Sequence, residues 1–381
     1  MRTRFLQHLG SLVALLMLAS SALADMVELV HFKHAPFPFA GNAAERRKFF
    51  DVLDGARRGH TGRDGTVYWE DETYHDDRVL LGIPSTFDPK RRPVLVVFLH
   101  GNQSLLDRDV RQRQRVPAQI AAARLNALLI TPQFAADALD SGAGKFARPG
   151  AVARFLDESA DKLDRMLRLY LGRRRARPNL HTAPIVLVAY SGGYLPAAYA
   201  LADPRVGHRV RSVILLDALY GNEPQFATWI KHHHADASFF SAYTESTEAH
   251  NEALQQLLQA LHITPSRGLP ARLWPGSVSF VPLGAETDHV DLLSQAWAVD
   301  PLTDILRRVS LDPPRKIAEK KADCRGRQCK FPRPAHGKSA KGSQTDKRKT
   351  VTRGVEKLAT KHPLTRPRIS KPRHESTPRP R

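Results

Sequence analysis

The run Ile185-Val186-Leu187-Val188-Ala189-Tyr190-Ser191-Gly192-Gly193-Tyr194 decides how this chain folds. Its first six residues are mostly apolar and rich in β-branched side chains, the composition of a strand covered on both faces. Ser191 stands at the turn, and two glycines follow before a helical stretch, Leu195-Pro196-Ala197-Ala198-Tyr199-Ala200. A serine on a sharp strand-to-helix turn is pushed clear of the sheet. Its neighbours must be small, because strand and helix nearly touch there. The pattern is G-x-S-x-G with Ala189 in place of the first glycine, A-Y-S-G-G.

On either side of this run, strands and helices alternate. Upstream, Val94–Leu99 reads as a buried strand ending in His100-Gly101-Asn102, Val116–Leu125 as a helix, Ala127–Thr131 as a strand and Val152–Leu171 as an amphipathic helix. Downstream, Ser212–Leu216 is a strand ending at Asp217, Ala237–Tyr243 a weaker strand, Ala249–Leu261 a helix and Ser277–Pro282 a strand. Val290–Val309 reads as mostly helical. Thr66–Trp69 and Arg78–Ile83 read as the two arms of a hairpin. Lys33–Ala40 reads as an irregular surface segment inside a stretch, Asp25–Arg63, of mixed character. The alternation predicts an α/β fold: a mostly parallel central sheet with helices on both faces.

Charge divides the chain. From Leu311 to Arg381 there are 22 Lys and Arg against 6 Asp and Glu, which supplies +16 of the chain's +20; residues 25–310 carry only +2. The high pI therefore belongs to a tail, and nucleic-acid binding by the core is not implied. This tail is rich in Lys, Arg, Pro, Ser and Thr, a composition expected to be disordered and suited to holding an anionic surface of the cell envelope. At the other end, Arg2 and Arg4 precede an apolar stretch, Leu9–Leu18, and the small-residue site Ala22-Leu23-Ala24. The stretch is too short to span a bilayer and reads as a signal peptide cut after Ala24, which directs the chain to the periplasm or outside the cell. The expected domains are thus 1–24 signal, 25–310 globular and 311–381 tail, with no transmembrane segment in the mature chain. The two cysteines, Cys324 and Cys329, lie in the tail as a local disulfide or as inert thiols.

Four stretches resemble the α/β-hydrolase fold family over roughly Thr66–Val309. Ile83–Gly101, I-P-S-T-F-D-P-K-R-R-P-V-L-V-V-F-L-H-G, is similar to the corresponding strand pair of polyhydroxybutyrate-depolymerase-like and feruloyl esterases. The A-Y-S-G-G turn follows. L-L-D-A-L-Y-G sets Asp217 at a strand end, and T-D-H-V-D-L-L sets His289 after the last strand. The order Ser191, Asp217, His289 is the one this fold uses. The resemblance implies a serine hydrolase acting on a small or polymer-linked ester or amide, with Ser191 as nucleophile, His289 as base and Asp217 orienting it. Glu245, after the next strand, is the alternative acid. Gly192 implies one oxyanion donor and the loop after Gly101 another, at Asn102 or Gln103. No cofactor is needed. His100 is expected to shape that loop.

Two other motifs carry less. His232, His233 and His234 lie on a predicted loop where consecutive imidazoles cannot converge on one ion, so no metal is expected. Asp140–Phe146 lacks the spacing of a phosphate-binding loop and is expected to edge the pocket. About twenty residues separate Asp217 from the next strand, too few for a large lid. The competing expectation is an inactive hydrolase-fold binding protein, anchored by its tail.

Overall fold

The structure is a computed structural model and describes residues 25–42, 48–62, 64–172 and 177–313. The expected signal segment, both cysteines and nearly all of the basic tail lie outside the described residues. Among the described residues, twelve strands form two sheets. The large sheet holds β1 (Met26–His31), β5 (Arg78–Ile83), β6 (Val94–Leu99), β7 (Ala127–Pro132), β8 (Ile185–Tyr190), β9 (Val210–Leu216), β10 (Ser238–Tyr243), β11 (Ser266–Arg267) and β12 (Val278–Pro282). Their order is β1-β5-β7-β6-β8-β9-β10-β12-β11. β5 runs antiparallel to both its neighbours, β1 and β7, while the pairings from β7 onward are parallel.

β8 is the pivot. All six of its residues are buried, and its register sets Ala189 against Leu99 on one side and Leu215 on the other. Alternate residues feed two cores. Ile185, Leu187 and Ala189 face a layer with α2 (Ala151–Leu171), α3 (Tyr194–Ala202), α4 (Glu223–His233) and α5 (Glu245–Ala260). Val186, Val188 and Tyr190 face one with α1 (Val116–Ala123) and α6 (Pro301–Arg308). Each fully buried Val, Leu or Ile contributes about 1.5–3 kcal/mol, so a strand with no polar side chain except its final tyrosine is held firmly at the centre.

Several elements depart from the sequence expectation. The hairpin does not form. A short helix, Glu70–Thr73, turns the chain away after Trp69, and β4 (Val67–Trp69) joins a separate sheet with β2 (Val52–Asp54) and β3 (Arg57–Thr61). Arg78–Ile83 is instead claimed by β1, a strand hidden in the mixed stretch after Asp25. Lys33–Ala40 is irregular but not superficial: Phe37 and Phe39 join Phe49, Phe50 and Tyr74 in a third, aromatic core. Aromatic burial, rather than backbone pairing, fixes that segment. Val290–Val309 is interrupted, with one tight helical turn at His289–Leu293 and then α6. His232 and His233 occupy the last turn of α4 rather than a loop. β10, expected to be weak, is fully buried.

Candidate active site

The parallel strands deliver their C-terminal ends to one edge, where sites are built in open α/β sheets. Gly101 follows β6, Ser191 follows β8, Asp217 follows β9, Thr244 follows β10, and His289 lies seven residues beyond β12.

Ser191 has φ +52°, a left-handed conformation that side-chain-bearing residues rarely adopt. The surroundings enforce it. A Cβ at Gly193 would lie 2.3 Å from the Leu99 carbonyl oxygen on β6, so only glycine lets the turn pass that close. A Cβ at Gly101 would lie 2.7 Å from the Ser191 Cβ, which places the loop after β6 directly against the serine. Ala189, which stands where the motif has glycine, is fully buried on the strand between β6 and β9.

Asp217 is fully buried and also has positive φ, +44°. Its carboxylate accepts five hydrogen bonds. His289 Nδ1–H donates to Oδ2 at 2.7 Å, Thr244 Oγ1–H at 2.7 Å and Ser246 Oγ–H at 3.0 Å. Thr247 Oγ1–H donates to Oδ1 at 2.6 Å and the Thr244 amide at 3.1 Å. Burial pushes this carboxyl up, but the bonds from His289, Thr247 and Thr244 outweigh burial and hold it well below the ordinary carboxylate range. An ionised Asp217 accepting from Nδ1–H fixes the His289 tautomer and leaves Nε2 as the proton acceptor. The imidazole is further held by stacking on Tyr190, ring centroids 4.9 Å apart. A capping box between Asp288 and Asp291 fixes the turn that carries it.

Glu245 sits in the first turn of α5, exposed, where a negative charge favours the helix N-terminus. The carboxylate that meets His289 is that of Asp217. Thr244 does cap this helix, its hydroxyl accepting from the Ser246 amide. The same hydroxyl reaches Asp217. Sequence reasoning missed this second use of Thr244, Ser246 and Thr247. A T-x-S-T cluster at a helix start signals capping, and only the β9–β10 register turns it toward Asp217.

Ser191, Tyr190, Gly192, Asn102, Gln103 and His289 line one cleft of about 440 Å³, within the range of small-molecule sites. Ser141 lines it too, so part of the Asp140–Phe146 loop edges the pocket. The Ser191 hydroxyl makes no hydrogen bond to His289 among the described residues; such contacts often tighten only with substrate in place. The two oxyanion alternatives now differ. The Gln103 amide donates to Ala138 O at 2.8 Å and is taken up by the fold. Asn102 lies against Gly192, where a Cβ would meet its Oδ1 at 2.0 Å. The amides of Asn102 and Gly192 have no acceptor among the described residues.

His100 locks the loop from below. Its Nδ1–H donates to Gly101 O at 2.8 Å, and Nε2 accepts from the Phe134 amide at 2.9 Å. Burial pushes its pKa down to about 4, against a weaker upward pull from the Gly101 carbonyl, so the ring is neutral at physiological pH.

The strand order, the single antiparallel strand between β1 and β7, and a serine on a left-handed turn after the central strand define the α/β-hydrolase fold. Several solved structures are similar to this chain at low identity. A ferulic acid esterase is 15% identical over 74% of this chain and 99% of its own, with a TM-score of 0.42. A feruloyl esterase module from Clostridium thermocellum, a serine-to-alanine variant complexed with sinapinate, is 13% identical over 71% and 97%, TM-score 0.37. An IroE-like serine hydrolase from Shewanella oneidensis is 14% identical over 60% and 74%, TM-score 0.36. No protein-family model matches the chain, and no curated protein sequence matches it.

Proposed function

We propose that this protein is an exported serine hydrolase that cleaves an ester or an amide through an acyl-enzyme on Ser191. One observation carries the reading: a serine held at φ +52° shares a cleft with an imidazole that a buried carboxylate grips at 2.7 Å. A serine hydroxyl is a poor nucleophile at neutral pH, so a base must take its proton as it attacks. His289 Nε2 accepts that proton while Ser191 Oγ bonds to the substrate carbonyl carbon. Asp217 stabilises the resulting imidazolium. The amides of Gly192 and Asn102 receive the oxyanion. As the tetrahedral intermediate collapses, the imidazolium returns the proton to the leaving oxygen or nitrogen. Water then repeats the sequence to release the acid and free Ser191. No metal or cofactor enters the scheme.

The segment 1–24 supports export to the periplasm or beyond, and the tail supports retention on an anionic envelope surface. The test of the chemistry is hydrolysis of a short 4-nitrophenyl ester by wild type and Ser191→Ala. Loss of turnover in the folded variant is expected, and equal turnover in the two would refute the assignment.

A further inference from the structure

The cleft holds one cationic side chain that the hydrolytic scheme does not use. Besides His289, Arg113 is the only ionisable group of Asp, Glu, Lys, Arg or His type among the described residues lining it; the remainder include Tyr190, Tyr194 and Tyr220, small polar side chains, Leu139 and Val290. Among the described residues no carboxylate lines the cleft itself; the partner of Arg113 is Asp109, behind the cleft wall.

Arg113 is placed by an unusual piece of backbone. Leu106–Arg113 forms a π-helix immediately after the oxyanion loop, with the Val110 amide on Leu105 O and the Gln114 amide on Asp109 O at 2.7 Å. Such wide turns are rare and concentrate at functional sites. Asp109, 3% exposed, is the anchor. Its Oδ1 accepts from Arg113 Nε at 2.9 Å, and its Oδ2 accepts from Arg108 Nε at 2.9 Å and the Leu105 amide at 2.8 Å. Asp109 is thus satisfied by three donors. The bond it makes to Arg113 uses only Nε, and among the described residues neither Nη group has a hydrogen-bond partner, so both face a ligand. A guanidinium oriented this way presents a fork that fits a carboxylate, sulfate or phosphate with two parallel hydrogen bonds.

We propose that Arg113 makes this a cleft for esters bearing an oxyanion substituent near the scissile bond. The inference rests on the hydrolase reading above and names the substrate class it acts on. Two pairs of substrates locate the charge. Mono-4-nitrophenyl glutarate against 4-nitrophenyl valerate tests the acyl half, and 4-carboxyphenyl butyrate against phenyl butyrate tests the alcohol half. Wild type should prefer the anionic member of one pair by about 10-fold or more in kcat/KM. The preference should sit in KM, because the fork grips ground and transition states alike. Arg113→Gln should collapse that ratio, and Arg113→Lys, a point charge without the fork, should keep part of it. If Arg113 only braced Asp109, Arg113→Gln would lower kcat on all four esters together and leave both ratios unmoved, which would overturn the proposal. Neutral esters favoured in both pairs by wild type would overturn it as well, with the hydrolase reading intact. Failure to turn over any of the four would remove the hydrolase reading itself and this inference with it.

Discussion

At the scale of single residues, the site is organised around Asp217 rather than around the serine. Five donors converge on one buried carboxylate, and only one of them is the imidazole. Removing the negative charge while keeping the shape, Asp217→Asn, should misorient His289 and leave its cation unsupported, a loss on the order of 10⁴ in turnover. Glu245→Gln removes only a favourable helix-end charge, with an effect well under about 1 kcal/mol on stability and little on rate. Steady-state kinetics on the two folded variants measure this. A large loss in the glutamate variant with near-normal turnover in the aspartate variant would reverse the assignment of the acid. The positions of Ser191 and Asp217 at the sheet edge were legible from their strand ends, because a strand end fixes a position there without any knowledge of packing, whereas His289, seven residues past β12, was read from the T-D-H-V-D-L-L stretch. Thr247 was not, because its role depends on which strand β10 adopts as neighbour. Arg113 gave no signal of any kind: a π-helix has no period that a scan for helical spacing detects.

At the scale of elements, the loop after β6 is anchored by His100 beneath it, which is neutral and bonded at both ring nitrogens. Its pKa of about 4 lies below the ordinary 6.5. The unfolded chain therefore binds a proton that the folded one refuses as pH falls from 6.5 toward 4. Stability from this group is fully present above about pH 6.5 and is lost through that window. Urea midpoints measured across it should fall for wild type, and His100→Asn should flatten the fall. Parallel curves for the two proteins would show that His100 is not the group responsible. The buried parallel strands were readable because fully buried strands are continuous apolar runs. β1 and the aromatic core were not. β1 has an irregular burial pattern at the sheet margin, and Phe37 and Phe39 are buried by a cluster whose members lie as far away as Ala138.

At the scale of the whole molecule, the division into a near-neutral body and a basic tail follows from charge alone. Contacts of the body among the described residues run past the expected boundary at 310. Leu311 packs against the α1–α6 core, and Asp312 lies 3.6 Å from Arg92. At the other end, Asp25 accepts a hydrogen bond from the Ser85 amide at 2.7 Å, and β1 begins one residue after it. The proposed cut after Ala24 would therefore fall before every described element of the body. Protein recovered from its native host should begin at Asp25 by mass spectrometry, and an intact Met1 would contradict export with cleavage. A chain ending at Pro313 should keep its turnover on small esters and lose retention on an anionic matrix. Retention by the full chain should weaken at high salt, where exposed charges are screened. Unfolding of the truncated chain would contradict an independent body.

If Ser191 is a nucleophile activated by its surroundings, and not a structural turn residue, it reacts with an electrophile that carries no substrate specificity. Labelling with a fluorophosphonate, followed by mass spectrometry of the peptide that carries the adduct, tests it most directly and requires no knowledge of the substrate. One adduct per chain, on Ser191, absent in Ser191→Ala and strongly slowed in Asp217→Asn, is the expected result. Folded wild-type protein that takes no label, or takes it on another residue, would contradict the account.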